Sequence, residues 1–312
     1  FVAASDAPRQ APLARRLIDA LARVTGEGFL YRVDMRLRPW GSAGPLVSSL
    51  DGYLAYMEHH ARPWERQALL KARVVAGEEQ LRDAFMARTD VLLFVPGADP
   101  RADVRVMKQR IEARLDADGE AWGEIKLGRG SIRDVEFVTQ YLQLRHGLRE
   151  ANTLAALDAL SARGLLSSDE YRALAEGYTL LRAVEHHLQL LDHRQTHRLP
   201  TDPREMGFLA RRLGFRGDEA GGALLARYGQ HCAAIRTAYE RHLLSDAGEG
   251  ATMTLDEDAP IPDVTRHVRR MAPSYRTTFS EREILRHAEM AERIDDAHPV
   301  EVDAAPMEGG AW

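Results

Sequence analysis

"YRVDMRLRPWGSAGPLVSS", residues 31–49, decides how this chain is read. Phe29, Tyr31, Val33, Met35 and Leu37 alternate with Leu30, Arg32, Asp34, Arg36 and Arg38, which is the period of a strand with one apolar face. On that reading Asp34, Arg36 and Arg38 point the same way. Pro39, Gly41, Gly44 and Pro45 then supply turn chemistry, and "GPLVSS" reads as a short returning strand.

Upstream, residues 12–25 place Leu13, Leu17, Leu21 and Val24 at helical spacing, and Gly26 and Gly28 end the run. Downstream, residues 51–76 read as one or two helices with a break at Pro63. The order helix, strand, turn, strand, helix makes the first hundred residues a mixed α and β unit. From residue 101 the pattern changes to long helices, at 104–115, 132–146 (with Ile132, Val135, Val138 and Leu142 on one face), 154–163, 168–191, 204–213 and 222–244. The expected fold class is therefore α+β, mostly α, with part of a mixed sheet at 1–100 and a helical bundle at 101–245. Residues 246–312 begin with an acidic linker bearing Gly and Pro, continue with a helical pair at 263–294, and end in an alternating run that reads as the start of a further strand.

The bulk numbers exclude several function classes. The chain has 312 residues, 45% hydrophobic and 29% charged, enough for one large or two ordinary cores. With 42 basic and 47 acidic residues the net charge is -5, so no global field draws it to nucleic acid or to an anionic membrane. Any anion site must be local. Cys232 is the single cysteine, which excludes an internal disulfide and a multi-cysteine metal site and suits a reducing, cytoplasmic compartment. No apolar run approaches the ~20 residues of a membrane span. Phe1 opens the chain without a methionine and "PMEGGAW" closes it just after a strand-like start, so an internal piece of a longer protein is expected.

Three constellations carry chemistry. Asp34 with Arg36, Arg38 and the Gly41/Gly44 turn offers a carboxylate for a metal, cations for phosphate oxygens and glycines for close backbone approach; a plain ion pair on a sheet face is the bland alternative. "PWERQALLKAR", residues 63–73, puts Trp64, Ala68 and Lys71 on one helical stripe with Glu65, Arg66 and Arg73 around it, the ordinary reading being a solvated, ion-paired helix. In "EIKLGRGSIRDVEF", residues 124–137, Ser131 and Asp134 have capping-box spacing. Gly128 and Gly130 with Lys126 and Arg129 also resemble an anion site at a helix N-terminus. Glu136, between Val135 and Phe137, needs a partner if buried. His186, His187, His193 and His197 crowd one helix and its end. His193 and His197 have i, i+4 metal spacing, but a role covering the helix surface and capping its end is the expectation.

Together, "YRVDMRLRPWGSAGPLVSS", "ARPWERQALLKARVVAG", "IKLGRGSIRDVEFVTQYLQLRHG" and "LLDHRQTHRLP" resemble the glutamine synthetase adenylyltransferase/adenylyl-removing family, in that order, over roughly residues 28–213. The resemblance implies a nucleotidyltransferase-superfamily mixed sheet with a helical bundle behind it. It implies an enzyme that moves AMP from ATP to a tyrosine of glutamine synthetase, or removes it by phosphorolysis to give ADP. Mg²⁺ is the implied cofactor; glutamine synthetase, the PII signal protein and glutamine as effector are the implied partners.

By the same resemblance, Asp34 matches the third of three metal-holding carboxylates. Arg36, Arg38, Lys71, Arg73, Lys126, Gly128 and Gly130 become nucleotide or phosphate contacts, with Asp134 and Glu136 as supporting acids. No G-S…D-x-D precedes Asp34 here, so two of the three metal ligands are absent and the piece is expected to be inactive alone. "RLRPWGSAGPLV" and "KLGRGSIRD" look closer to the adenylyl-removing half. "VRRMAPSYRTTFSEREILRHAEMAERI", residues 268–294, resembles the segment before the ACT domains of PII uridylyltransferases, so a uridylyltransferase-like enzyme stands as an alternative, as does a non-catalytic docking module.

Overall fold

The computed structural model describes residues 1–3, 7–192 and 196–245. The readings made for residues 246–312 and for His193 lie outside the described residues. Helices dominate: α1 (Ala7–Ala22), α2 (Leu50–His59), α3 (Pro63–Leu69), α4 (Glu79–Leu93), α5 (Arg101–Ala117), α6 (Ile132–His146), α7 (Thr153–Ala162), α8 (Ser168–Asp192), α9 (Pro203–Arg212) and α10 (Ala220–Leu243). The sheet among the described residues is one short parallel pair, β1 (Val2–Ala3) with β2 (Ser48–Ser49), in register Val2 to Ser48.

Local chemistry explains most helix ends. Asn152 accepts from the backbone N–H of Leu154 and Ala155 at the start of α7, and Asp202 does the same for Arg204 and Glu205 ahead of Pro203. Ser167 and Glu170 form a reciprocal capping box on α8, with Ser167 N–H donating to Glu170 Oε2 at 2.9 Å and Glu170 N–H to Ser167 Oγ at 3.3 Å. The break expected at Pro63 falls between α2 and α3, where Pro63 occupies the first turn and needs no N–H partner.

The core is built around α6. Ile132, Val135, Val138 and Leu142, the face predicted from spacing, are all buried. So are Asp134, Thr139, Gln140 and Gln143, which makes α6 a central helix enclosed on nearly every side. Leu157 and Leu160 of α7, Leu174, Leu181 and Val184 of α8, Leu209 of α9 and Ile235 and Tyr239 of α10 complete that layer. A second cluster of Tyr56, Met57, Leu69, Leu70 and Leu93 reaches Leu144 of α6. Arg149 crosses between the layers, donating to Thr89 Oγ1 at 3.0 Å and Leu69 O at 3.4 Å and pairing with Asp90.

The expected strand at residues 29–37 does not form. Arg36 N–H turns back to Asp34 Oδ1 at 2.9 Å, a local side-chain bond that competes with extended pairing, and no neighbouring strand is present among the described residues. Its alternating apolar face has nothing to bury against: Phe29, Tyr31 and Leu37 are 52%, 63% and 71% exposed. The returning strand survives only as Ser48–Ser49. The first helix also starts earlier than its spacing indicates, running through Pro12, and stops at Ala22, where Thr25 and Gly28 exchange backbone hydrogen bonds in a tight turn. Its Leu13 and Leu17 face water, while Ala7 and Ala14 pack on Ala3 and Val47. Helix α4 has no counterpart in the sequence reading; Leu81, Phe85, Leu92 and Leu93 give it only a weak stripe.

Candidate functional site

Asp34 and the two arginines take separate roles. Arg36 grips Asp34 through Nε at 2.9 and 3.0 Å and Nη2 at 2.6 Å, an exposed bidentate pair that draws the carboxyl down to about 2. Arg38 instead turns inward and clamps its own turn, donating to Met35 O at 2.6 Å, Ser42 O at 3.1 Å and Gly44 O at 3.2 Å. The three side chains therefore do not share a face. Trp40, left-handed at φ 64°, lays its ring edge-on to Tyr56 with centroids 5.0 Å apart.

Behind that turn lies a cleft of about 230 Å³, walled by Leu37, Pro39, Tyr53, Tyr56, Met57 and Leu69 and carrying Arg38, Glu65 and Lys71 as its charged groups. Glu65 is held in place by Tyr56 Oη–H at 2.7 Å and by Arg62 N–H at 2.8 Å. Lys71 ends the cleft, donating to Thr153 Oγ1 at 2.6 Å and Ala151 O at 3.0 Å. Burial lowers its pKa from the usual lysine value, opposed by the carboxylates of Glu136 and Glu150. Arg73, by contrast, is exposed and outside the cleft.

From Lys71 a charged seam runs across the bundle. Tyr178 of α8 shares Thr153 with Lys71, and burial raises its phenol. Glu136 has the partner its position required, Arg133 one turn earlier at 3.0 Å. Glu185 of α8 is almost fully buried, yet Oε1 lies 3.1 Å from His197 Nδ1 and 3.5 Å from Lys126 Nζ, while Oε2 takes Arg182 Nη1. Lys71, Glu136 and Lys126, far apart in sequence, thus fall on one seam. Arg182, Glu185 and Tyr178 escaped the sequence reading because α8 looks like an ordinary amphipathic helix. His197 is found pairing with Glu185, a role its spacing did not suggest.

The loop at residues 124–131 delivers Lys126 to this seam and is internally satisfied. Glu124 Oε1 accepts from the N–H of Lys126 at 3.0 Å and Leu127 at 3.1 Å, Gly128 N–H bonds Glu124 O, and Gly130 N–H bonds Asp134 Oδ2 at 2.7 Å. Ser131 sits at the N-cap position, but its hydroxyl donates to Lys126 O at 2.8 Å, so the expected box forms only on the Asp134 side and one residue early. The glycines serve close packing: a Cβ at Gly130, where φ is +66°, would lie 2.0 Å from Cys232 O of α10. Arg129 points away, to Glu112 and Asp116 of α5.

Beneath the loop is a buried ion cluster that sequence reading missed. Lys108 of α5 reaches Asp134 Oδ1 at 2.5 Å and donates to Leu127 O at 2.8 Å and Gly128 O at 2.5 Å. Burial pushes the Asp134 carboxyl up, against the pull of Lys108 and the Gly130 N–H. Arg236 of α10 closes the cluster through Glu112 at 2.7 Å.

Whether these residues fit the implied Mg²⁺ is decided by their carboxylates. Both Asp34 oxygens are taken by Arg36, and among the described residues no three His, Cys, Asp or Glu side chains gather as a metal group. Mg²⁺ requires oxygen ligands in near-octahedral array, so the residues as placed do not fit one.

Comparison with known proteins matches two family models in succession. Residues 7–88 match Glutamate-ammonia ligase adenylyltransferase, and residues 105–243 match GlnD PII-uridylyltransferase. A bifunctional glutamine synthetase adenylyltransferase/adenylyl-removing enzyme of Streptomyces avermitilis is 39% identical over 236 residues, 73% of this chain and 23% of that protein. Relatives of the same name from Burkholderia mallei and Pseudomonas putida are 37% identical over 264 residues and 42% over 212, covering 79% and 65% of this chain and 28% and 21% of their own lengths. The chain thus spans about a quarter of the length of the curated relatives it matches.

Proposed function

Since the chain belongs to the glutamine synthetase adenylyltransferase/adenylyl-removing enzyme family, we propose that it is the nucleotide-handling piece of an enzyme acting on the adenylyl group of glutamine synthetase. The reading is carried by the similarity over 73% of the chain to a bifunctional enzyme of that name. Its substrates are ATP or ADP and phosphate, its partners glutamine synthetase and PII, its effector glutamine and its compartment the cytoplasm. Among the described residues no helix is long and apolar enough to cross a membrane. The motif wording at residues 36–47 and 126–134 favours the adenylyl-removing direction.

In this reading the cleft walled by Tyr53, Tyr56 and Leu69 receives an uncharged ring, and Lys71 and Lys126 face phosphoryl oxygens from the seam. Arg38 holds the turn that forms one wall. Asp34 and Mg²⁺ belong to the same reading, but Asp34 alone supplies one carboxylate, so the piece is inactive by itself. The test replaces the corresponding segment of the Streptomyces avermitilis relative with this chain and follows adenylylation and deadenylylation of glutamine synthetase. A folded hybrid with neither activity overturns the proposal. Loss of activity on Asp34→Asn, with folding intact, supports it.

A second reading is favoured by the match of residues 105–243 to GlnD PII-uridylyltransferase. In that case the same hybrid would transfer UMP from UTP to PII and leave glutamine synthetase untouched.

A further inference from the structure

We infer that Lys126, Arg182 and His197 form an oxyanion clamp for a phosphoryl group, in which Glu185 is the built-in counter-ion. The Glu185 side chain is only 2% exposed, whereas those of Lys126, Arg182 and His197 are 32%, 38% and 23% exposed. The acid lies inside and its three donors reach outward. They come from three segments of chain, the 124–131 loop, α8 and residue 197, so they surround one point and do not form a single helical stripe.

Donor capacity is left over at that point. Among the described residues Lys126 Nζ makes no hydrogen bond and meets Glu185 only as a 3.5 Å ion pair, and His197 Nδ1 and Glu185 Oε1, though 3.1 Å apart, are not aligned as a hydrogen bond and have no other hydrogen-bond partner. Among the described residues Glu185 is the one carboxylate that meets Lys126, Arg182 and His197. Of the neighbouring acids, Glu124 has Oε1 engaged by two backbone N–H groups and Glu136 is paired with Arg133. A phosphoryl group presents three acceptor oxygens and more negative charge than a carboxylate, which matches three converging donors better than Glu185 does. Burial and the Lys126 charge depress the His197 imidazole, and an added dianion would reverse that effect.

The clamp rests on the reading that gives Lys126 a phosphoryl oxygen, and its test needs no adenylyl transfer, so the clamp and that function can fail separately. The experiment follows the His197 ring by NMR in the full 312-residue chain during titration with sodium phosphate, with sodium chloride at matched ionic strength as the reference. Saturable binding is expected, weakened at least about tenfold in Lys126→Met and strengthened in Glu185→Gln, which removes the internal competitor. Should Glu185→Gln fail to fold, Arg182→Met serves instead and is expected to weaken binding. AMP is titrated in parallel: tighter binding than phosphate, lost with the same variant, identifies a nucleotide phosphoryl as the source, and binding of phosphate alone identifies the free ion. A response no different from chloride, or equal affinity in wild type and Lys126→Met, overturns the clamp.

Discussion

Lys108 Nζ stands 2.5 Å from Asp134 Oδ1 with both side chains out of water, and the same ammonium holds the carbonyls of Leu127 and Gly128. One lysine on α5 thereby fixes the start of α6 and the loop that carries Lys126. Removing one member of a buried pair leaves an uncompensated charge. Lys108→Met is expected to cost about 3–5 kcal/mol of stability in urea unfolding, and Lys108→Met with Asp134→Leu less than the single change. A single variant within about 0.5 kcal/mol of wild type would show that the pair is not structural.

Gly130→Ala meets two obstacles, a φ of +66° and a carbonyl oxygen of Cys232 at 2.0 Å from the new Cβ. The expected loss is about 2–4 kcal/mol, since α6 and α10 must separate locally. Gly147→Ala has the same backbone handicap, φ +65°, with open space around it. It is therefore expected to lose only about 1–2 kcal/mol, and equal losses at the two positions would contradict the packing argument.

Glu170 gives the fold an acid limit. Burial alone would raise its carboxyl, but His242 and Ser167 hold it at about 2, below the usual 4.5. A depressed acid contributes stability that is present above the unfolded value and is lost as pH falls from about 4.5 toward 2. Glu170→Gln is expected to remove on the order of 2 kcal/mol at pH 7 and to flatten the stability profile across that window. His197 works from the other side: its lowered pKa keeps it neutral in the fold, so its contribution declines as pH drops below 6.5. Thermal melts between pH 2 and 8 check both signs.

Asp34→Asn is expected to leave the stability of this chain unchanged, because the Asp34–Arg36 pair is exposed and screened. Chemical denaturation checks this, and a large loss would mean that the 29–37 segment is packed in solution.

Much of the bundle was legible because its signals are local. The spacing of Ile132, Val135, Val138 and Leu142 marks α6, and apolar periodicity marks α7 and α9, whose caps at Asn152 and Asp202 the structure adds. The segment around Asp34 was misread for the opposite reason. Alternation indicates a strand only if another strand pairs with it, and here Asp34 bonds its own backbone instead. Lys71, Lys126 and Glu136 could be singled out by motif, but their convergence depends on α8, whose Tyr178, Arg182 and Glu185 carry no motif at all. Lys108 was invisible in the same way: a lysine on a charged helix reads as solvated until its neighbours enclose it.

The most direct measurement is phosphate-dependent release of ADP from adenylylated glutamine synthetase by the Streptomyces avermitilis relative carrying this chain in place of its own segment. The account predicts release that requires phosphate and falls at least about tenfold with Lys126→Met. A folded hybrid that releases no ADP, or releases it equally with Lys126→Met, would contradict the adenylyl-removing role given to this chain and its seam.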